Sequence, residues 1–265
     1  MTLRLHVLAS GSRGNAAVVE DAETGAGVLV DCGICKREFF ARCDAVGFDP
    51  ARLSGILVTH DHTDHTKGLG VVLRGLAKQG VEPPVWALGP VRSASAELRA
   101  LEGASDLRAF ALGDALALGG IAVHAFATSH DAAGSCGFRF EAAGDAVGFM
   151  TDTGTVTGAA HEALSHVRLL ALESNHDVQM LRDGPYPYPV KRRVASDVGH
   201  LSNDQAAAEL EALLCDELEQ VVSMHLSQNN NLPSLTVKAL GAVVSRAAHP
   251  AAITPAAQGY AISVG

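Results

Sequence analysis

"ILVTHDHTDHTKG", residues 56–68, sets three histidines and two aspartates within six positions, directly after an apolar run. Burying such a cluster without partners is costly, so packing alone explains it poorly. A bound cation explains it better. His60 and His62 are two positions apart, and in extended chain such side chains leave on the same side, so together they can grip one ion. Asp64 and His65 come where the chain turns into a helix expected to begin near Thr66; they point elsewhere and can serve a second ion. Neutral imidazole suits zinc, and mixed carboxylate and imidazole sites also accept manganese or iron.

A catalytic ion needs about three protein ligands and an open position, so two ions need more donors than this loop holds. Candidates follow other apolar runs: His130 in "TSHDAAGS" (128–135), Asp152 in "TDTG" (151–154) and His225 in "HLSQNN" (225–230). The runs "LRLHVLA", "AAVVE", "GVLVD", "GILVT", "PVWAL", "IAVHAFA", "CGFRFE" and "AVGFMTD" read as strands. Helical periodicity covers 36–46, 66–79, 91–101, 203–214 and 235–247. Strands with interspersed helices imply sheets covered by helices, with polar loops meeting along one edge.

Composition excludes other classes. In 265 residues, 48% are hydrophobic and 18% charged, which is the balance of a globular chain with a sizeable core rather than a disordered one. No apolar run nears the ~18 residues of a membrane span, and "MTLRLHVLAS" turns polar before a signal peptide could develop, so the expected location is the cytoplasm. Five cysteines, an odd number, fit reduced thiols. A net charge of −9 argues against nucleic-acid binding by bulk electrostatics and leaves it to local basic patches and bound cations.

"THDHTDH", preceded by "LVDCG" and followed in order by His130, Asp152 and His225, resembles the motifs of the metallo-β-lactamase superfamily over nearly the whole chain. "ASGSRGN", "LESNHDVQMLRDGPYPYPVKRR", "GHLSNDQAA" and "HLSQNN" further resemble its YycJ/WalJ family. The resemblance implies an α/β fold, a four-layer αββα sandwich, as one domain over residues 1–265 with two pseudo-symmetric halves. Carried over residue by residue, it implies two divalent metal ions: one on His60, His62 and His130, the other on Asp64, His65 and His225, with Asp152 bridging. It makes Asp31 a residue that orients ligand loops. Only about 70 residues separate Asp152 from His225, so the inserted domain of β-CASP nucleases is not expected.

Two nearby cations lower the pKa of a shared water and can stabilise both oxygens of a phosphoryl displacement, which points to hydrolysis. The leaving oxygen still needs a proton from a group outside the metals. In ribonuclease Z-like members of the superfamily a segment similar to "GHLSNDQAA" carries a non-ligand histidine oriented by a glutamate. His200 and Glu173 occupy the comparable positions, and with Asp152 they form the expected catalytic set. A glutamate that only caps the next segment is the competing reading of Glu173.

For substrate, Arg13 and Asn15 of "SGSRGN" could meet a phosphate, and Asn175 and His176 could line the site. Between Asn175 and Gly199 helical periodicity fades, so "GPYPYPVKRRV" reads as a loop; Tyr186 and Tyr188 offer stacking faces and Lys191, Arg192 and Arg193 phosphate contacts. The family resemblance implies a 5′ to 3′ exonuclease on DNA, with no membrane partner and a homodimer left open. The alternative is a small-molecule hydrolase of the same fold, such as a cyclic phosphodiesterase, a thioesterase or a lactamase-like enzyme. "CGIC" (32–35) also offers a thioredoxin-like redox reading, and a metal-bound interaction protein without catalysis is a third. His6, His124, His161, His166 and His249 are taken as ordinary hydrogen-bonded residues.

Overall fold

The apolar runs do form strands, and the computed structural model describes residues 2–265. In chain order the strands are β1 (Leu3–Ala9), β2 (Ala16–Asp21), β3 (Gly27–Val30), β4 (Leu53–Val58), β5 (Val85–Leu88), β6 (Leu107–Phe110) and β7 (Ala115–Leu118). They continue as β8 (Ile121–Ala127), β9 (Cys136–Ala142), β10 (Asp145–Met150), β11 (Leu169–Glu173), β12 (Gln220–Met224), β13 (Ala252–Pro255) and β14 (Ile262–Val264). The helices are α1 (Lys36–Val46), α2 (Thr63–Thr66), α3 (Leu69–Ala77), α4 (Gly89–Ala94), α5 (Ala96–Arg99) and α6 (Gly158–Leu164), then α7 (Val178–Asp183), α8 (Tyr188–Val194), α9 (Asn203–Leu213) and α10 (Pro233–Arg246).

Two seven-stranded sheets result, ordered β14-β1-β2-β3-β4-β5-β6 and β13-β12-β11-β10-β9-β8-β7. Both follow one pattern. From β14 to β3 and from β7 to β10 neighbours run antiparallel; from β3 to β6 and from β10 to β13 they run parallel.

Side-chain alternation shows how the layers stack. In β11, Leu169 and Ala171 join the core shared with Val18, Leu29 and Phe138, while Leu170 and Leu172 join a second core with Leu210 of α9 and Leu240 of α10. One face of this sheet therefore packs on the other sheet and the opposite face on helices, which is the αββα sandwich. Phe39, Phe138 and Phe140 are fully buried, and burial of each such side chain contributes about 1.5–3 kcal/mol relative to exposure.

Several expected elements differ. The helix expected over 66–79 starts earlier, as α2, and breaks before α3 at Gly68, whose N–H donates to Cys32 O at 2.8 Å instead of to the preceding turn; a side chain there would collide with the carbonyl of Ile34. The helix expected over 91–101 is divided at Ser95, whose hydroxyl accepts from Leu98 N and caps α5. The proline-rich segment expected to be a loop contains α8, with prolines at its start, where their missing N–H groups and fixed φ suit the first helical turn. Among the described residues no helix is long and apolar enough to cross a membrane.

Candidate metal centre

The parallel strands β3, β4, β10, β11 and β12 end at one edge of the sandwich, and the loops leaving them carry Asp31, the "THDHTDH" turn, Asp152, Glu173 and His225. Crevices at the carboxyl ends of parallel strands are where open α/β sheets bind ligands. His130 reaches the same place from the loop after β8, and His200 from the segment before α9. Asp31 and His225 directly follow their strands and Asp152 lies two residues past the end of β10, all with φ between 55° and 59°, a left-handed conformation that costs of order 1–3 kcal/mol per non-glycine residue.

The donors form overlapping groups whose ligand atoms lie within 4.8 Å of one another: His60, His62 and His130; Asp64, His65 and His225; and His60, His65 and Asp152. Asp64 and His65 belong to the single turn of α2, rather than to the chain before a helix, and His62 is its N-terminal flanking residue. Local backbone bonds fix this turn. Asn15 N donates to Asp64 O at 2.8 Å, Cys32 N to His65 O at 2.8 Å and Gly33 N to Asn15 O at 2.7 Å. A side chain at Gly33 would strike the Asp64 carbonyl, so glycine is required by close approach of the two loops.

Hydrogen bonds also set which ring nitrogen is free. His65 Nδ1 donates to Asp31 Oδ2 at 2.7 Å, and His60 Nδ1 to Thr59 Oγ1 at 3.0 Å. That hydroxyl in turn donates to Asp31 Oδ2 at 2.8 Å. His130 Nδ1 donates to Gly199 O at 3.0 Å, and His225 Nδ1 to Glu173 Oε1 at 3.1 Å. All four rings thereby turn Nε2 toward the centre, the arrangement in which a ring hydrogen bond orients a metal-binding histidine. His60 Nε2, His225 Nε2 and Asp152 Oδ2 are buried and have no hydrogen-bond partner. Buried polar atoms are normally satisfied, so these orphaned atoms and the donor chemistry fit divalent cations.

Charge points the same way. Burial disfavours a charged His65, but Asp152, Asp31 and Asp64 outweigh it and raise the ring to about 9. His225 is likewise raised against its burial, mainly by Asp152 and by its contacts with Asp64 and Glu173. The Asp64 contact, at 4.0 Å, is an ion pair and too long for a hydrogen bond. His60 is held well below its usual value by burial and by the neighbouring imidazoles, and His130 is lowered chiefly by burial. Asp64, Asp152 and Glu173 are each opposed by burial yet held below the usual carboxylate range by the histidines around them. Without a cation, protons on imidazole balance the carboxylates; a bound cation takes over that role.

Glu173 is fully buried, and its Oε1 is shared between His225 and His200 Nδ1, the latter at 2.8 Å. Its Oε2 accepts from Thr153 N at 2.9 Å and Leu201 N at 3.2 Å, so it braces backbone and holds imidazole at once. The bond to Glu173 occupies Nδ1 of His200 and leaves Nε2 outside it.

Other expected site residues fall differently. Asn15 is buried, with Oδ1 accepting from Gly11 N at 2.8 Å and Nδ2 donating to Asp64 Oδ2 at 3.4 Å, so it steadies a ligand loop and is not open to substrate. Asn175 Nδ2 donates to His225 O at 2.8 Å. Asp61, set aside in the motif, accepts from Ala133 N at 2.9 Å and ties the "THDHTDH" turn to the His130 loop. Arg13, Arg192 and Arg193 are exposed, and Lys191 is partly exposed. His6, His161 and His249 are hydrogen-bonded away from the centre. Cys32 and Cys43 are buried; burial pushes the Cys32 thiol up strongly and that of Cys43 to about 12, the reverse of a redox-active thiol.

A sequence profile described as "Beta-lactamase superfamily domain" matches residues 27–226. The chain is 37% identical over 235 residues to an "Exodeoxyribonuclease YycJ" of Bacillus anthracis, an overlap of 89% of this chain and 86% of that one. It belongs to the metallo-β-lactamase superfamily, in the YycJ/WalJ family. An "Exodeoxyribonuclease WalJ" of Streptococcus pneumoniae is 32% identical over 231 residues, 86% of this chain and 83% of the relative. The metallo-β-lactamase fold protein YhfI of Bacillus subtilis superposes with a TM-score of 0.74 over 100% of both chains at 15% identity, a likeness of fold. As a member of this superfamily the chain is a metal-dependent hydrolase, and the fold implies divalent ions at the His/Asp clusters.

Proposed function

We propose that this protein is a dinuclear phosphodiesterase acting on DNA, a 5′ to 3′ exonuclease built as a single domain. In this reading one ion is held by His60, His62 and His130 and the other by Asp64, His65 and His225, with Asp152 shared. Zinc is the first choice, with manganese or iron as alternatives. When bound, such ions supply an activated water and neutralise charge on a phosphoryl group. The chain's own part is to hold and move a proton: His200, fixed through Nδ1 by Glu173, donates from Nε2 to the leaving oxygen. Arg13, Lys191, Arg192 and Arg193 contact phosphates along the strand, and His176 lines the site. The observation that carries this is the 2.8 Å hydrogen bond between His200 and the buried Glu173, beside the His/Asp groups that could hold metal ions. Phosphodiester cleavage needs a proton for its leaving oxygen, whereas a thiolate departs without one. The relatives named exodeoxyribonuclease, similar over most of both chains, support DNA as the substrate.

The test compares duplex DNA labelled at the 5′ or the 3′ end, a thioester and bis(p-nitrophenyl) phosphate, with zinc, manganese or iron added to stripped protein. Release of mononucleotides from the 5′ end is expected. Thioester turnover without DNA cleavage would transfer the protein to the small-molecule hydrolases of the same fold.

A further inference from the structure

A cavity of about 620 Å³ lies between α7, α8 and the start of α9, with His176, Leu181, Tyr188, Ala195 and Ser202 among its lining residues. It adjoins the metal centre through two chain segments. His176 follows Asn175, whose amide holds His225, and Ser202 lies two residues beyond His200; His176 and Ser202 pair in a parallel bridge. The interior is largely apolar, and Val178 and Tyr188, 53% and 72% exposed, stand at its rim. Arg182, Lys191 and Arg192 also line it, and no acidic side chain does, in a chain of net charge −9. Its volume falls within the ~300–1,000 Å³ of pockets for small organic ligands.

Apolar walls, an exposed aromatic face and three lining cations, of which only Arg182 is paired with a carboxylate (Asp183, 3.4 Å), describe a flat, anion-bearing aromatic ligand. A lipophilic peptide would need no such cations, and a simple phosphate no apolar interior. His176 is 2% exposed and its Nδ1 is buried, so the ring forms part of the cavity wall. Burial, more than the opposing pull of Glu173, lowers this ring to about 4, so that wall is uncharged.

We propose that this cavity receives an unstacked base next to the phosphodiester bound at the metal centre, so that the protein selects single-stranded or frayed ends. The base would stack on Tyr188, and its flanking phosphates would meet Lys191 and Arg192. The inference rests on the phosphodiesterase reading above. An intact duplex keeps its bases paired and stacked and cannot fill the cavity without unpairing.

Two oligonucleotides that differ only at the 5′-terminal nucleotide, thymidine in one and an abasic residue in the other, provide the test. Affinity is read by fluorescence anisotropy on metal-stripped protein, and kcat/KM on metal-loaded protein. The base-bearing end is expected to bind about tenfold more tightly, the scale of one base–aromatic stack. Ala195→Phe, which fills the cavity from an exposed position, is expected to cut that preference to about twofold or less while bis(p-nitrophenyl) phosphate turnover stays unchanged. Tyr188→Ala, at an exposed position where folding is not at stake, should lose the same preference. Equal affinity for both ends in the wild type, or a preference intact in both variants, overturns the proposal. So does a dimer seen by sedimentation that Ala195→Phe dissolves without touching the preference, which would give the cavity to a second copy of the chain. Discrimination in binding with neither oligonucleotide cleaved would keep the cavity assignment and sink the nuclease reading; cleavage without discrimination would do the opposite.

Discussion

The two sheets contribute to the metal centre in opposite ways. The first delivers His60, His62, Asp64 and His65 from one turn of chain, backed by Asp31. The second delivers His130, Asp152, Glu173, His200 and His225 on separate segments, two of them at left-handed strand ends and two joined through one glutamate oxygen. A contiguous cluster is local and tolerant of small shifts elsewhere. A dispersed one depends on the whole sheet being in register.

The largest effect is expected from His60→Ala combined with His62→Ala. Loss of metal, read by elemental analysis, should accompany a fall in turnover of at least ~10³-fold, since the ion supplies several kcal/mol of stabilisation. Persistent hydrolysis would break the account of the first half. On the other side, His200→Ala should retain metal while kcat drops by ~10²–10⁴-fold, the usual contribution of a positioned proton donor. Glu173→Gln sharpens the contrast: because Oε1 serves both His200 and His225, it should lower metal content as well as kcat. If Glu173→Gln left metal content unchanged, the shared oxygen would have no role in holding the second half together.

Asp31→Asn probes the support of the first half. It removes the carboxylate that receives His65 and Thr59, and a ~10–100-fold weaker metal affinity by competition with a chelator is expected, the scale for such supporting groups. The smallest effect lies at the far end of the sandwich, where Asp145 accepts from Arg168 and from Leu3 N. Burial opposes its ionisation, but these bonds outweigh it and hold the carboxyl below its usual value. A carboxyl lowered in the folded state stabilises above the unfolded value and loses that contribution as pH falls through the folded one. Thermal melts of wild type and Asp145→Asn should therefore differ at neutral pH and converge in acid; a gap that widened in acid would refute the sign.

The unequal design also decided what the sequence could reveal. "THDHTDH" is dense enough to be read as a metal turn on its chemistry alone. His130, Asp152 and His225 could be gathered only by their order along a resembling family, because nothing local separates a lone histidine at a strand end from a packed one. β6 and β7 are four residues each and half exposed, too short to stand out from the loops around them. Proline density hid α8, since the same residues that open a helix also punctuate loops. The left-handed φ angles and the double use of Glu173 are properties of a finished sheet and leave no local trace.

One pairing governs when that sheet is finished. β1 pairs at Leu5 with Val264 of β14, and Ser10 just beyond it accepts from the backbone N–H of His225. Both contacts join residues more than 200 positions apart, a separation that slows folding and leaves one edge of β1 open to other chains until they form. The "THDHTDH" turn is one stretch of chain, whereas the full centre waits on the distant contact by which Ser10 holds His225.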